Sequence, residues 1–142
     1  MKKGVLLINL GTPDSPKVSD VRKYLTQFLN DPFVIDIAPI GRFLLVNGII
    51  VPFRAPKSAK LYEKIWTKEG SPLLIHGKKL KDLLQKELGS FYIVELGMRY
   101  RNPSIESAFL KLKNAGVAEI VAIPLYPQYA TSSTESTIQE VK

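Results

Sequence analysis

The 142-residue sequence contains no cysteine and a single histidine, His76. Without cysteine, this stretch forms no disulfide, binds no metal through thiolates and holds no cysteine-ligated iron–sulfur cluster. One histidine is too few for a multi-histidine metal site. His76 falls at the edge of an apolar helical stripe, and we interpret it as structural. The sequence therefore predicts neither a metal site nor a catalytic acid–base group in this stretch.

Long apolar runs are also missing, because none reaches the roughly 18 residues that a membrane-spanning helix needs. The basic, apolar start at residues 1–10 is short. The Gly11–Asp14 segment that follows it is typical of a turn, and no small-residue cleavage site is present. Hydrophobic residues make up 45% and charged residues 23% of the sequence, as in an ordinary soluble domain. We therefore expect a cytoplasmic protein.

Positive charge exceeds negative charge, with a formal net charge of +7. This excess favours anionic partners such as nucleic acid, acidic lipid or a carboxylate-bearing small molecule. Aromatic residues do not alternate with basic ones, and no nucleic-acid-binding motif is present. We expect no nucleic-acid partner, and a basic solvated surface is the simpler explanation of the scattered lysines.

Apolar runs alternate with helical patterns along the chain. Strands are predicted over residues 5–10, 91–96 and 119–125, and helices over 15–29, 39–50, 57–62, 71–88, 103–115 and from 134 onward. This alternation indicates crossover connections on a parallel sheet, and the near-continuous apolar strands indicate cover on both faces. The predicted fold is one α/β domain over 1–142, a doubly wound, flavodoxin-like parallel sheet with helices on both faces. The last helical pattern has no stop signal, so we expect the sequence to continue beyond Lys142.

Helix ends and buried faces are predicted from capping signals and residue spacing. Asn30–Pro32 is expected to stop the first helix. Ser71 is expected to cap the helix that follows it, and Ser133 or Thr134 the last helix. Phe109 is expected to be buried in the helix after Pro103. The predicted buried stripe of the 71–88 helix comprises Leu73, Leu80, Leu84 and Leu88.

Ligands of open parallel sheets bind beyond the carboxyl ends of the strands. Three segments fall there: Leu10–Pro13, Gly97–Tyr100 and Tyr126–Tyr129. The first could cradle a phosphate with exposed amides, but it lacks both the phosphate-loop pattern and repeated glycines. A plain tight turn is the favoured interpretation of that segment.

A further candidate lies between Arg54 and Tyr62, where Lys57 adds a second cation. If residues 57–62 are helical, Ser58 and Tyr62 share one face. Arg and Lys suit carboxylate binding. On the pattern alone, a surface helix with a half-buried tyrosine is favoured.

Taken together, five segments resemble the ferrochelatases, in order and at the family's spacing. They are Val5–Pro13, Phe28–Pro32, Gly70–Leu73, Gly97–Tyr100 and Leu125–Tyr129. The Tyr-Pro-Gln-Tyr sequence at Tyr126–Tyr129, followed by a Ser/Thr run, is close to diagnostic. Members of the family are roughly twice as long, so the resemblance reaches their N-terminal half.

The resemblance implies a chelatase-like fold with a porphyrin cleft between two α/β halves. It implies a lyase of haem biosynthesis that inserts ferrous iron into a porphyrin, protoporphyrin IX giving protohaem. The family's proton-accepting histidine and acidic metal-path residue belong to the second half. This half alone is therefore expected to be inactive, to have no cofactor, and to need its missing C-terminal half and the porphyrin as partners.

The resemblance also implies roles for individual residues in the porphyrin site. The family's porphyrin contacts match Arg54, Tyr62 and Ser71, and Leu10 matches a position facing the macrocycle. Cleft-lining positions match Arg99 and Tyr126. Members that carry an iron–sulfur cluster have a cysteine near Ala130, so no cluster is expected here.

Three alternatives remain open at this point. One is a flavodoxin-like module that binds a nucleotide or flavin phosphate at Gly11 and Thr12. Another is a non-catalytic interaction domain that uses the apolar segment 40–53, and a third is a related cobalt chelatase. The apolar segment 40–53, bracketed by Arg42 and Arg54, is expected either to form a cleft lip touching a membrane surface or to pack beneath the missing half.

Overall fold

The computed structural model describes all 142 residues and contains one sheet of three parallel strands. These are β1 (Lys3–Gly11), β2 (Tyr92–Tyr100) and β3 (Glu119–Pro124), in the order β2-β1-β3. Lys3 of β1 pairs with Tyr92 on one side and with Glu119 on the other. The central strand is buried on both faces, which explains its uninterrupted apolar sequence. The predicted parallel sheet is confirmed.

Six α-helices connect and cover the strands. They are α1 (Val18–Leu29), α2 (Pro39–Leu45), α3 (Val51–Ile65), α4 (Pro72–Leu88), α5 (Ile105–Asn114) and α6 (Ser136–Val141). A π-helical turn at Val46–Ile50 joins α2 to α3, and another at Thr131–Glu135 leads into α6. None of these helices combines the length and apolarity that crossing a bilayer requires.

Side chains of β1 alternate between two apolar layers. Val5 and Leu7 pack in the layer that contains the apolar residues of α4, whereas Leu6 and Ile8 pack with those of α5 and α6. Alternation follows from the two-residue period of a strand. The expected arrangement, with helices on both faces of the sheet, is therefore present.

A third apolar cluster lies beyond the carboxyl end of β2. It joins Val21 and Leu25 of α1, Val46 of the π-helical turn and Ala55 of α3 to Tyr100. The small residues of α3 let that helix approach α1 closely. This apolar cluster lies beneath the candidate functional site.

The structure corrects the boundaries predicted between residues 39 and 62. In place of two short helices, α2, the π-helical turn and α3 run on continuously, with Pro56 inside α3. An interior proline removes a helical hydrogen bond. Pro52 and Pro56 both lie on the exposed side of the helix, where water can bind the freed carbonyl groups.

The buried stripe of α4 also differs from the prediction. Leu84 and Leu88 pack on the sheet as expected, but Leu73 and Leu80 are exposed, Leu80 by 42%. Buried Gly77 faces the strand instead, and a Cβ there would lie 3.0 Å from the Leu96 side chain. Because a glycine makes the closest approach, leucine spacing alone gave the wrong rotation for this helix.

Phe109 was expected to be buried in α5, and that prediction is wrong. Phe109 is 42% exposed on α5, whose buried residues are Ile105, Ala108 and Leu112. His76 is exposed on α4. In α5, the three- and four-residue spacing of Ile105, Ala108 and Leu112 sets the buried face.

The two outer edges of the sheet differ. Beside β2, the Gln85 side chain donates to the Tyr92 carbonyl and accepts from the Val94 amide, both at 2.9 Å. On β3, by contrast, the outer edge has no partner strand, and Val121 is 44% exposed on the face shared with Val5. One edge is thus closed by a side chain and the other is open.

Candidate functional site

The candidate site lies at the carboxyl edge of the sheet, where an aromatic row joins α3 to β2. Successive rings are 5.2–6.4 Å apart between their centroids. The row comprises Trp66, Tyr62, Tyr24, Phe28 and Tyr100. Leu10, at the end of β1, packs against the same cluster. The structure therefore brings Leu10 and Tyr62, two predicted site residues, onto one apolar floor.

One face of α3 presents polar groups above this floor. Arg54, Ser58 and Tyr62 follow one another at four-residue spacing, so the predicted common face of Ser58 and Tyr62 is confirmed. A cavity of about 470 Å³ is lined by Ser58, Leu61, Tyr62, Lys64 and Ile65. Arg54 is exposed and makes no hydrogen bond or ion pair within the chain.

Burial raises the pKa of the Tyr62 phenol, and a hydrogen bond with Tyr24 and the positive charge of nearby Arg54 partly offset this shift. Tyr62 therefore keeps its proton at neutral pH and is available as a hydrogen-bond donor. A neutral donor beside an unpaired guanidinium is suited to a carboxylate.

Ser71 occupies the N-cap position of α4, but its side chain does not cap the helix. Its hydroxyl is buried and accepts a 2.8 Å hydrogen bond from the Thr12 hydroxyl. The capping prediction is therefore wrong, because the hydroxyl bonds to the turn after β1 instead. Ser71 lines a different cavity from Tyr62, of about 490 Å³, which Trp66 also lines, and the ring centroids of Trp66 and Tyr62 are 6.3 Å apart.

Arg99 and Tyr100 lie inside β2, not beyond its carboxyl end as predicted, and the Arg99 guanidinium is fully engaged within the chain. Its guanidinium nitrogens contact the Ser136 hydroxyl at 2.7 Å, the Asp31 carboxylate at 2.9 Å and the Glu140 carboxylate at 3.3 Å. Tyr100 and Ser136 each donate to Asp31 at 2.6 Å. We call Asp31, Arg99, Tyr100 and Ser136 the Asp31 cluster.

Asp31 is the residue that sequence reasoning missed, because Asn30–Pro32 was interpreted only as a helix stop. Its side chain is 2% exposed. Burial by itself would raise the pKa of this carboxyl, but hydrogen bonds from Ser136, Tyr100 and the Phe33 amide outweigh burial and lower it. Asp31 is therefore an anion at neutral pH, and its polar atoms are paired.

Tyr126 contacts the start of α6, where its hydroxyl lies 2.8 Å from the Thr137 hydroxyl. Burial raises the pKa of this phenol. Ser133 and Thr134, predicted to cap the last helix, lie inside the π-helical turn that begins after Ala130. That prediction is wrong, since the hydroxyl run forms the turn itself.

The turn after β1 is closed rather than open to a phosphate. Gly11 adopts a φ of +117°, and a Cβ there would lie 2.0 Å from the Tyr100 carbonyl oxygen. Thr12 and Pro13 are buried. The favoured interpretation as a tight turn agrees with this geometry, and the flavodoxin-like alternative is not supported. No group of three or more His, Asp or Glu side chains is arranged to hold a metal.

The fold and this site define a class of protein: an α/β unit with an aromatic floor at the carboxyl edge of its sheet and an exposed, unpaired cation on α3. The family model described as Ferrochelatase matches residues 2–142. The chain belongs to the ferrochelatase family.

Curated relatives agree with this assignment. The chain is 52% identical over 141 residues to a ferrochelatase of Coxiella burnetii (strain RSA 493 / Nine Mile phase I), covering 99% of this chain and 40% of the relative. It is 50% identical over 143 residues to one from Chromobacterium violaceum, covering 98% and 39%. It is 46% identical over 140 residues to one from Legionella pneumophila (strain Paris), covering 99% and 42%. The chain therefore spans about two fifths of the length of these relatives.

Proposed function

We propose that the whole protein inserts ferrous iron into a porphyrin, and that this chain provides one wall of the porphyrin cleft. The observation that carries the proposal is the family match over residues 2–142. Ferrous iron and the porphyrin are both substrates in this proposal. The base that accepts the pyrrole protons and the metal path are assigned to the remainder of the protein.

The chemistry of a porphyrin suits the residues at this edge of the sheet. A porphyrin is a flat apolar ring with propionates, so its site needs an apolar floor and a cationic rim. Leu10 and the aromatic row supply the floor, while Arg54 and Tyr62 supply a cation and a donor for one propionate. Tyr126 and Arg99 are proposed to line the cleft further along the same edge.

Ser71 is proposed as a porphyrin contact in the cavity that Trp66 also lines. Its hydroxyl accepts from Thr12, so its own proton remains available to a ligand. Held on this wall, the ring can be bent, which exposes a pyrrole nitrogen to a base on the opposite wall.

The open edge of β3 supports a second part of the proposal, that the remainder of the protein docks there. Val121 and Ile123 are exposed on one face of β3, and no strand pairs with its outer edge. Apolar strand residues beside a free edge favour a further covering layer.

The apolar segment 40–53 supports a proposal of peripheral membrane contact. Phe43 is 61% exposed, and Ile40, Leu44, Ile49 and Phe53 are exposed beside it. Arg54 adds a free cation, whereas Arg42 is held by the carbonyl oxygens of Ile35 and Ile37. Such a patch gives weak, reversible attachment to anionic lipid. The cytoplasmic location stays a prediction.

The test of the proposed function is porphyrin metallation by the whole protein and by this chain alone. We expect the whole protein to insert ferrous iron into protoporphyrin IX, followed as loss of porphyrin fluorescence. We expect this chain to be no faster than buffer. No insertion by the whole protein would contradict the proposal, and turnover by this chain that is lost in His76→Ala would contradict the assignment of the base elsewhere.

A further inference from the structure

The strongest unassigned feature of the molecule is the Asp31 carboxylate, which is buried and bonded to groups far apart in sequence. Its partners Arg99, Tyr100 and Ser136 lie 68, 69 and 105 residues away along the chain. The fourth bond comes from the Phe33 amide at 2.8 Å. Four donors converging on one desolvated anion form a strongly directional contact.

The Asp31 cluster joins three segments that carry cleft residues. Asp31 itself begins the connection from α1 to α2 and the apolar segment 40–53. Arg99 and Tyr100 end β2, and Ser136 begins α6, next to the Thr137 hydroxyl that contacts Tyr126. The cluster therefore fixes where these three segments stand relative to one another.

Arg99 and Arg54 differ in how many guanidinium nitrogens are free to bind a ligand. Each nitrogen of the Arg99 guanidinium already has a protein oxygen within 3.3 Å. Its side chain is 15% exposed. A propionate would have to displace one of these oxygens. The geometry therefore favours a role for Arg99 in holding Asp31 over a direct contact with a ligand.

We propose that Asp31 is a positioning residue for the cleft, and that Arg99 acts through it by holding Asp31, Ser136 and Glu140 together. The Asp31 cluster determines the shape of the cleft, whereas Arg54 binds the negative charge of the porphyrin propionate. This inference rests on the proposed function for its kinetic consequence. Its structural consequence, that three segments are held by one carboxylate, is independent of it.

The kinetic test uses the whole protein with a porphyrin diacid and with the dimethyl ester of the same porphyrin. We expect Asp31→Asn to lower kcat for metal insertion by roughly 10- to 100-fold, the size of effect that a misplaced reacting group causes. The loss should be equal for acid and ester, because neither Asp31 nor Arg99 reads the propionates. Arg54→Ala should instead weaken the binding of the diacid and leave the binding of the dimethyl ester unchanged. A loss in Asp31→Asn that is confined to the diacid would overturn the proposal.

Ser136→Ala and Asp14→Asn complete the set of variants. Ser136→Ala removes one donor to Asp31 without changing charge. It should lower kcat equally for the diacid and the ester, by less than Asp31→Asn does, and it provides a second test if Asp31→Asn folds poorly. Asp14→Asn is the matched control, because Asp14 also ties two segments, through Arg101 and Asn102, but lies outside the Asp31 cluster. It should change kcat by less than about twofold.

The structural test does not depend on activity and follows backbone hydrogen exchange in the whole protein. Asp31→Asn should speed exchange together in residues 33–45, 97–100 and 131–141, and Asp14→Asn should not. If the wild type fails to metallate porphyrin but this joint response appears, the proposed function fails and the positioning role stands. A response limited to residues 31–35 would overturn the positioning role.

Discussion

The Asp31 cluster and the exposed face of α3 lie at the same edge of the sheet but differ in whether their polar side chains have partners within the chain. In the cluster, each of the polar side chains has a partner inside the chain. On α3, Arg54 is exposed without a partner and Tyr62 stands at the border of a cavity. Both regions combine arginine with tyrosine, so composition does not distinguish them.

This difference shows how residues that hold the fold can be told from residues that face a ligand. The former have hydrogen-bond and ion-pair partners inside the chain, and the latter do not. A buried charge is tolerated when its partners are supplied on folding, and its removal then costs stability. An unpaired exposed cation costs little to keep and little to remove, but it is available to an anionic ligand. Substitutions in the Asp31 cluster should therefore act on stability and on the shape of the cleft, and substitutions on α3 should act on ligand binding.

The largest expected effect on stability is that of Asp31→Asn. We expect a loss of about 3 kcal/mol in the free energy of unfolding, the lower end for breaking a buried ion pair, because Glu140 still compensates Arg99. Since folding lowers the pKa of Asp31 below its ordinary value of 3.8, its contribution is present above that value and lost as pH falls through the folded pKa.

Urea unfolding at pH 7 and in steps between pH 5 and pH 3 checks this prediction. The wild type should lose stability on the acid side, and the variant should show a flatter profile. An Asp31→Asn variant as stable as the wild type at pH 7 would remove the basis of the comparison.

Arg54→Ala should show the opposite pattern, with porphyrin affinity weakened and stability unchanged. A lost charge-assisted contact to a propionate corresponds to about 1.5 to 3 kcal/mol. Fluorescence quenching of the porphyrin by the whole protein measures this, beside urea unfolding. Lys60→Ala on the opposite side of α3 is the control and should leave affinity unchanged. Equal affinity in both variants would contradict the assignment of Arg54.

Ser71→Ala sharpens the comparison, because the Ser71 hydroxyl is buried yet proposed to meet the ligand. Loss of its hydrogen bond with Thr12 should cost about 1 kcal/mol of stability. A double-mutant cycle with Thr12→Val should show coupling of similar size. Zero coupling would indicate that Ser71 acts alone, as a cap does. Ser104→Ala is a useful reference, since Ser104 does cap α5 by accepting from the Ser107 amide at 3.1 Å.

The smallest effect on stability is expected for polar substitutions in the apolar segment 40–53. Phe43→Ser with Leu44→Gln should change the free energy of unfolding by less than about 0.5 kcal/mol, because both side chains are more than 60% exposed. Co-sedimentation of the whole protein with anionic vesicles should fall in this variant. Leu110→Gln, an exposed apolar residue of α5, should have no effect on it. A large loss of stability would show that the segment packs in the protein core.

The sequence predicted those parts of the fold that depend on local pattern. The apolar run of β1 is continuous because helices cover both faces. The strands predicted over residues 5–10 and 91–96 are observed as Lys3–Gly11 and Tyr92–Tyr100, so the second strand continues four residues further than predicted. The four-residue spacing of Ser58 and Tyr62 likewise predicted one helix face. These features need only neighbouring residues, so one sequence is enough to find them.

The rest depends on contacts between distant segments. Asn30–Pro32 carried an obvious stop signal, which hid the role of Asp31 as an anion with partners up to 105 residues away. Ser71 carried an equally good capping signal, yet its hydroxyl bonds to Thr12, 59 residues earlier. In both cases a local explanation was sufficient, and only the tertiary structure shows which partner prevails.

The Gln85 side chain beside β2 has a consequence for how this sheet can associate. Its amide occupies the same carbonyl and amide positions that a neighbouring strand would use at Tyr92 and Val94, and the Pro103 carbonyl accepts from the Met98 amide at 2.7 Å. Open-ended stacking of sheets needs two free edges on each copy. With one edge blocked, copies of this chain alone can pair edge to edge only once, through β3, so a closed pair rather than a fibre is the limit of such growth. Docking of the remainder of the protein at β3, as proposed, would close this edge as well.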